Sequence, residues 1–380
     1  MNRIKPFILW YGGAAILLAI GLARVLRPAW FQGPPLYWPW QIFWIAAVAA
    51  PWFALKGAAA STRERVVLTA VIVAAAGLSS HVHYVSVDQG HYFPVSTFAD
   101  NTAWQWFMHQ GILALSPNYI PHSYRFFSDA LIGVMEWITG SFDESRTANA
   151  LIFYGLLYAF TFRFARLYVS AVGSVAVVIL LLMVYPVTNA WYAGQPIDPL
   201  SHASFVLCMW ALASGQEAPM GASLIIGCLT KESVLIMAPC RAFFGKDRVR
   251  AVLLAAVYTA VTFALIAKVR LAVNAGTFAY GRVSGVEPGF FATNFAQYRQ
   301  WIPQYLFSIG LFVPGAVWGW KWMDNPFRLT CLFVTAGVVV SSAIFSWLSE
   351  VRNLVPAIVM LAIVNVTAVE RYLQSGQASR

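Results

Sequence analysis

Charge is what this chain has least of: 11% of its 380 residues are Asp, Glu, Lys or Arg, against 59% hydrophobic and 16% aromatic. Soluble domains carry about a quarter charged residues, so that class is excluded, and a mean hydropathy of +0.65 points to a lipid solvent. Cysteine is sparse too. The four present, Cys208, Cys228, Cys240 and Cys331, fall in or beside apolar runs without C-x-x-C spacing. That excludes a disulfide framework and a Cys-based zinc site, and leaves buried free thiols. A Gly-rich phosphate loop of the nucleotide-enzyme type is also lacking, which argues against a nucleotide-bound donor. Acidic residues number 15 against 25 basic ones, a formal charge of +10. The basic residues are scattered over short loops and form no stripe, so nucleic acid is not an expected partner.

What the chain has in abundance is apolar runs of near-spanning length: 7–26, 39–57, 66–84, 147–167, 172–190, 198–214, 220–240, 251–272, 301–320, 328–346 and 350–369. The fold class this predicts is an all-α polytopic membrane protein. The start, MNRIKPFILW, has a basic lead and an apolar core with no small-x-small cleavage site after it, so it is expected to remain as the first helix.

One run breaks the pattern. IIGCLTKESVLIMAP, residues 225–239, sets Lys231 and Glu232 side by side inside apolar sequence. If every run crosses once, Lys and Arg divide about 12 to each side, with no preference. If 220–240 enters and returns to the cytoplasm as a re-entrant hairpin, the division becomes about 15 inside to about 9 outside. Each arm would then rise about 15 Å, half the hydrocarbon core, which is allowed where the backbone lines a cavity. Lys231 and Glu232 would sit at the floor of a cavity open to the outside. A charge at mid-bilayer costs about 2.5 to 3.5 kcal/mol, so such a pair calls for a function, unless the two neutralise each other in a continuous helix.

This arrangement gives about ten crossings plus the hairpin, with both termini cytoplasmic. The outer face receives the long segment 85–146, in which 96–115 and 122–140 are expected as two amphipathic juxtamembrane helices. Asp88 follows the third span and is either a general base at the membrane boundary or a solvated helix end. Asp100 either caps the next helix or joins the chemistry. His81, His83 and His91 lie near Asp88, but their spacing does not make a zinc site, and no metal or other cofactor is predicted. His109 and His122 read as interfacial. Asp198, between Pro196 and Pro199, either caps a helix or faces the cavity. Arg352 suits a phosphate group; Glu350, two residues earlier, would not share a helix face with it.

Taken in order, these segments resemble the GT-C superfamily of integral-membrane glycosyltransferases. VDQGHYF followed by the 96–140 pair resembles the family's membrane-surface carboxylate and long loop. QPIDPLSHASFVL resembles its x-D-P-L entry to a span, CLTKESVLIMAP its L-x-K-E segment, and SEVRNLVPAIVML its E-x-R-x-x-x-P start of a late helix. The resemblance covers 66–369, with two additional helices in 1–65 and a cytoplasmic tail at 370–380. It departs from the family in carrying extra spans before the loop and no paired acid at Asp88. It implies a sugar donor on a polyprenyl phosphate, a saccharide or lipid acceptor, and transfer on the extracytoplasmic face of the bacterial inner membrane. It further implies Asp88 as the base. The donor phosphate would be held by Lys231 and Arg352, with Glu232, Asp198, Asp100 and His91 around it. Two other functions stay open: a transporter of a polar or lipid-linked substrate, and a non-catalytic subunit docking a membrane-protein partner through its outer loop.

Overall fold

The computed structural model describes residues 38–85, 98–114, 125–188, 195–273, 290–346, 348 and 350–378. All regular structure in them is helical. The chain forms α1 (Trp38–Ala54), α2 (Thr62–Val85), α3 (Phe98–Leu113), α4 (Phe127–Thr139), α5 (Phe142–Ala165), α6 (Ala171–Thr188), α7 (Asp198–Ser214) and α8 (Glu217–Thr230). Short helical turns over 232–243 follow. The chain continues as α9 (Arg248–Ala272), α10 (Phe290–Ala296), α11 (Tyr298–Ser308), α12 (Val313–Gly319), α13 (Asn325–Phe345) and α14 (Val355–Ala378). Five helices are long and apolar enough to cross a membrane: Thr62–His83, Phe142–Ala165, Arg248–Ala272, Asn325–Ile344 and Val351–Ser375. The protein is a helical membrane protein.

Local chemistry sets the helix ends. Ser61 accepts from Glu64 N at 3.1 Å while Glu64 Oε2 accepts from Ala60 N at 2.8 Å, so one orphan donor of α2 and the amide just before its cap are both satisfied. Ser141, Asp247 and Asp324 cap α5, α9 and α13, each side chain accepting from the backbone N–H three residues on. Gly140 and Gly215 close α4 and α7 with φ of 71° and 69°, a region open to glycine. The cap at Ser141 starts α5 earlier than the apolar run at 147 suggests. Asp143 and Glu144 are therefore its first turn and not loop. The run 301–320 is likewise divided into α11 and α12 by the turn before Pro314, while Pro303 lies within α11.

α5 is the centre of the bundle, packed by α1, α2, α6 and α7. Its Tyr154, Leu157, Tyr158 and Phe162 are buried. The periphery is apolar as well: Ile45, Phe53, Val257, Val261 and Leu332 face outward, the surface a lipid solvent requires.

Contacts tie the helices together at two opposite ends. At one, Arg163 donates to Ala54 O at 2.7 Å and stacks on Trp210, Tyr168 meets Phe327, and Glu370 accepts from Ser170 N. At the other, Ser128 donates to Pro196 O at 2.7 Å, Tyr154 meets His83 Nδ1 at 2.8 Å, and Asn294 donates to Ser346 O at 2.8 Å. α2 runs from the first end to the second, and α7 and α14 run back.

Between α7 and α9 the chain doubles back. α8 ends at Lys231, whose φ of −155° and ψ of 116° are extended, and the turns 232–243 return along it. Arg241 then reaches Glu217, at the start of α8, at 2.9 and 2.7 Å, and Tyr258 donates to the same carboxylate at 2.9 Å. The segment thus begins and ends at one level, with Lys231 and Glu232 at its tip. Gly227 makes the fold-back close: a Cβ there would lie 2.6 Å from Val234 Cγ1 and 2.9 Å from Ser204 Cβ.

Candidate functional site

The tip of this hairpin meets the ends of several helices, and the charges there are arranged in two layers. In the deeper layer, Asp198 is wholly buried in the first turn of α7 and accepts from Gln195 N at 3.0 Å. Its other neighbours are Lys231 Nζ at 3.4 Å and Arg352 Nε at 3.2 Å. Neither reading of Asp198 is met: it is the first residue of α7 and not its N-cap, which is Ile197 without a side-chain cap bond, and it lies beneath the cavity instead of facing it; its carboxylate closes the turn before α7 and anchors two cations. Arg352, also fully buried, pairs with Glu350 Oε2 at 3.5 Å because 350 precedes the helical turn and is not bound by helix spacing. The expectation that the two would not meet is corrected on this point.

In the outer layer, Glu232 receives both arms of the Arg125 guanidinium, Nε at 2.8 Å and Nη2 at 2.7 Å, with Arg270 Nη2 at 3.9 Å. Arg125 comes from the approach to α4 and Arg270 from the last turn of α9, so residues remote in sequence converge on one carboxylate. Lys231 donates to Asn353 Oδ1 at 2.6 Å, and Asn353 Nδ2 donates to Glu350 Oε2 at 3.3 Å.

These groups form one side of a cavity of about 480 Å³. Its polar lining includes Arg125, Lys231, Glu232, Arg270, Glu350 and Asn353, with the hydroxyls of Ser341, Ser342 and Ser346. Its remaining wall is apolar, built from Leu235, Ile236, Pro239, Phe333 and Val340. A Cβ at Gly337 would lie 3.3 Å from Ile236, so the glycine leaves room for that wall. A shallower apolar groove along α9 shares Pro239 and Thr259 with the cavity. Among the described residues lining the cavity, three cations face two carboxylates; the Asp198–Arg352 pair beneath adds no net charge. One positive charge in a weakly polar surround favours an anion, and guanidinium and ammonium groups suit phosphate oxygens.

Of the residues expected from sequence, Lys231 and Glu232 line the cavity, while Asp198 and Arg352 form the buried layer that braces Lys231 and Glu350. Asp88 and His91 lie outside the described residues. Asp100 lies within the first turn of α3, which begins at Phe98, and so does not occupy the capping position. His109 is not interfacial. It is fully buried between Asp129 at 3.0 Å and Glu136 at 3.2 Å, and it fastens α3 to α4. Burial pushes the Asp129 carboxyl above its ordinary range, against the opposing effect of His109.

Sequence reasoning passed over Arg125, Arg270 and Asn353, and gave Glu350 no part in the site. The available signal was a charge at the end of an apolar run, as at Arg270, but nothing in sequence marks its partner. Compared with family models, curated proteins and solved structures, the chain finds no match in any of the three.

Proposed function

We propose that the chain is a GT-C-type membrane glycosyltransferase, which moves a sugar from a polyprenyl-phosphate donor to a saccharide or lipid acceptor on the extracytoplasmic face. The observation that carries this reading is the net-positive cavity of Arg125, Lys231 and Arg270 set against an apolar wall. A lipid phosphate needs both: cations for its charged head and apolar surface for its chain. Transfer also develops negative charge on the leaving phosphate, which fixed cations stabilise without reorganising.

The membrane orientation of the reading has its own support. Arg63, Arg65, Arg163, Arg166, Lys246 and Arg328 lie at the end of the bundle opposite the cavity or in the turns there. By the positive-inside tendency that end is cytoplasmic, and the cavity opens outward. On this reading 217–243 is a re-entrant hairpin, the chain crosses about ten times, and the protein resides in a bacterial inner membrane. The resemblance supplies Asp88 as a base, and no cofactor is invoked.

The test is reconstitution of the full chain in vesicles with a radiolabelled polyprenyl-phosphate hexose and cell-envelope lipid as acceptor. Label should move to the acceptor, and Lys231→Met should cut the rate by about 100-fold or more, the scale of losing a transition-state charge contact. Passage of label across the vesicle wall with no transfer product would instead favour a transporter.

A further inference from the structure

The cavity holds a carboxylate that no step above uses. Glu350 lies on its wall with a side chain 14% exposed, and its Oε2 takes the contacts from Ser346 at 3.1 Å, Asn353 at 3.3 Å and Arg352 at 3.5 Å. Its Oε1 is engaged by no described residue. The other carboxylates of the site are differently placed. Both oxygens of Glu232 are taken by the Arg125 fork, and Asp198 is sealed from solvent between two cations. Glu350 is therefore the described carboxylate with an oxygen left to accept a proton from a molecule in the cavity. Asn353 adds position. It contacts Lys231 through Oδ1 and Glu350 through Nδ2, so one amide sets the spacing between the phosphate-holding ammonium and this carboxylate.

We propose that Glu350 is a catalytic residue, the general base that accepts the acceptor hydroxyl's proton in place of the Asp88 that the resemblance implies, an assignment that rests on the glycosyltransferase reading. The proton passes from the acceptor O–H to Glu350 Oε1 as the acceptor oxygen forms its bond to the anomeric carbon of the donor sugar. The bond between that carbon and the phosphate oxygen breaks, and its electron pair leaves with the lipid phosphate. The charge so gained faces Arg125, Lys231 and Arg270. The proton held by Glu350 returns to water after the product departs, so atoms and charge balance without a further reactant. Arg352 and Asn353 are positioning residues here: they hold Oε2 and leave Oε1 for the acceptor.

The experiment uses full-length protein in phosphatidylcholine nanodiscs, with polyprenyl phosphate as the binding probe and the labelled hexose donor for turnover. Glu350→Gln keeps the shape and the hydrogen-bonding ability but loses the basicity. It is expected to lower kcat by about 100-fold or more while polyprenyl-phosphate affinity stays within about threefold. Glu350→Asp should recover part of the rate, with the acidic limb of its pH–rate profile displaced. Transfer by Glu350→Gln within about threefold of the parent overturns the assignment, as does an equal loss of binding and turnover, which would mark a structural role. A parent protein that neither binds the lipid phosphate nor transfers sugar overturns the glycosyltransferase reading itself, and this assignment falls with it.

Discussion

Asp198 shows how one side chain can organise a site without entering it. Its carboxylate is wholly buried, closes the turn before α7 and holds both Lys231 and Arg352. A buried charge is tolerated only when paired, and removing one partner leaves the others uncompensated, at a cost of about 3 to 5 kcal/mol. Asp198→Asn is thus expected to lower the thermal stability of the detergent-solubilised protein by that order, before any question of turnover arises. An unchanged melting temperature would show that Lys231 and Arg352 find other partners. Glu232 is differently placed, because its pairing with Arg125 occurs at the cavity wall.

At the scale of elements, the hairpin 217–243 decides where these charges sit. The unexpected charges in an apolar run made the fold-back legible in sequence, since Lys231 and Glu232 call for a wet or paired environment. What was not legible was the means of closure. Gly227 has no Cβ to separate α8 from Val234, and Glu217 fastens the base through Arg241 and Tyr258. Gly227→Ala puts a methyl carbon 2.6 Å from Val234 Cγ1, so overpacking should destabilise by about 1 to 3 kcal/mol. Thermal unfolding measures it, and the gain in helix propensity works in the opposite direction by about 1 kcal/mol. A net gain in stability from this substitution would contradict the close packing described for the two arms.

The outer helices were legible as elements and misjudged in their contacts. α3 and α4 fall within the two expected amphipathic stretches, yet His109 faces inward because Asp129 and Glu136 provide its partners. Arg125 belongs to the same stretch and was read with it, while its side chain departs to Glu232 at the hairpin tip. Hydropathy reports how a segment meets lipid or water; it carries no information on which remote carboxylate an arginine will meet.

For the whole molecule, the separation of the two ends matters more than any single pair. One end carries many of the loop cations, and the other gathers charges into a cavity flanked by apolar wall. That asymmetry follows from composition: a chain with so few charged residues cannot spread them through lipid, so they gather at ends or bury in pairs. The central claim is that this cavity holds a lipid phosphate. A density map of the full chain in nanodiscs with polyprenyl phosphate tests it most directly. The account predicts the phosphate within hydrogen-bonding distance of Lys231 and at least one of Arg125 and Arg270, with the lipid chain leaving along the apolar wall. A map in which the lipid phosphate binds elsewhere, with the Arg125–Glu232 pair undisturbed and the cavity filled by water alone, would contradict it.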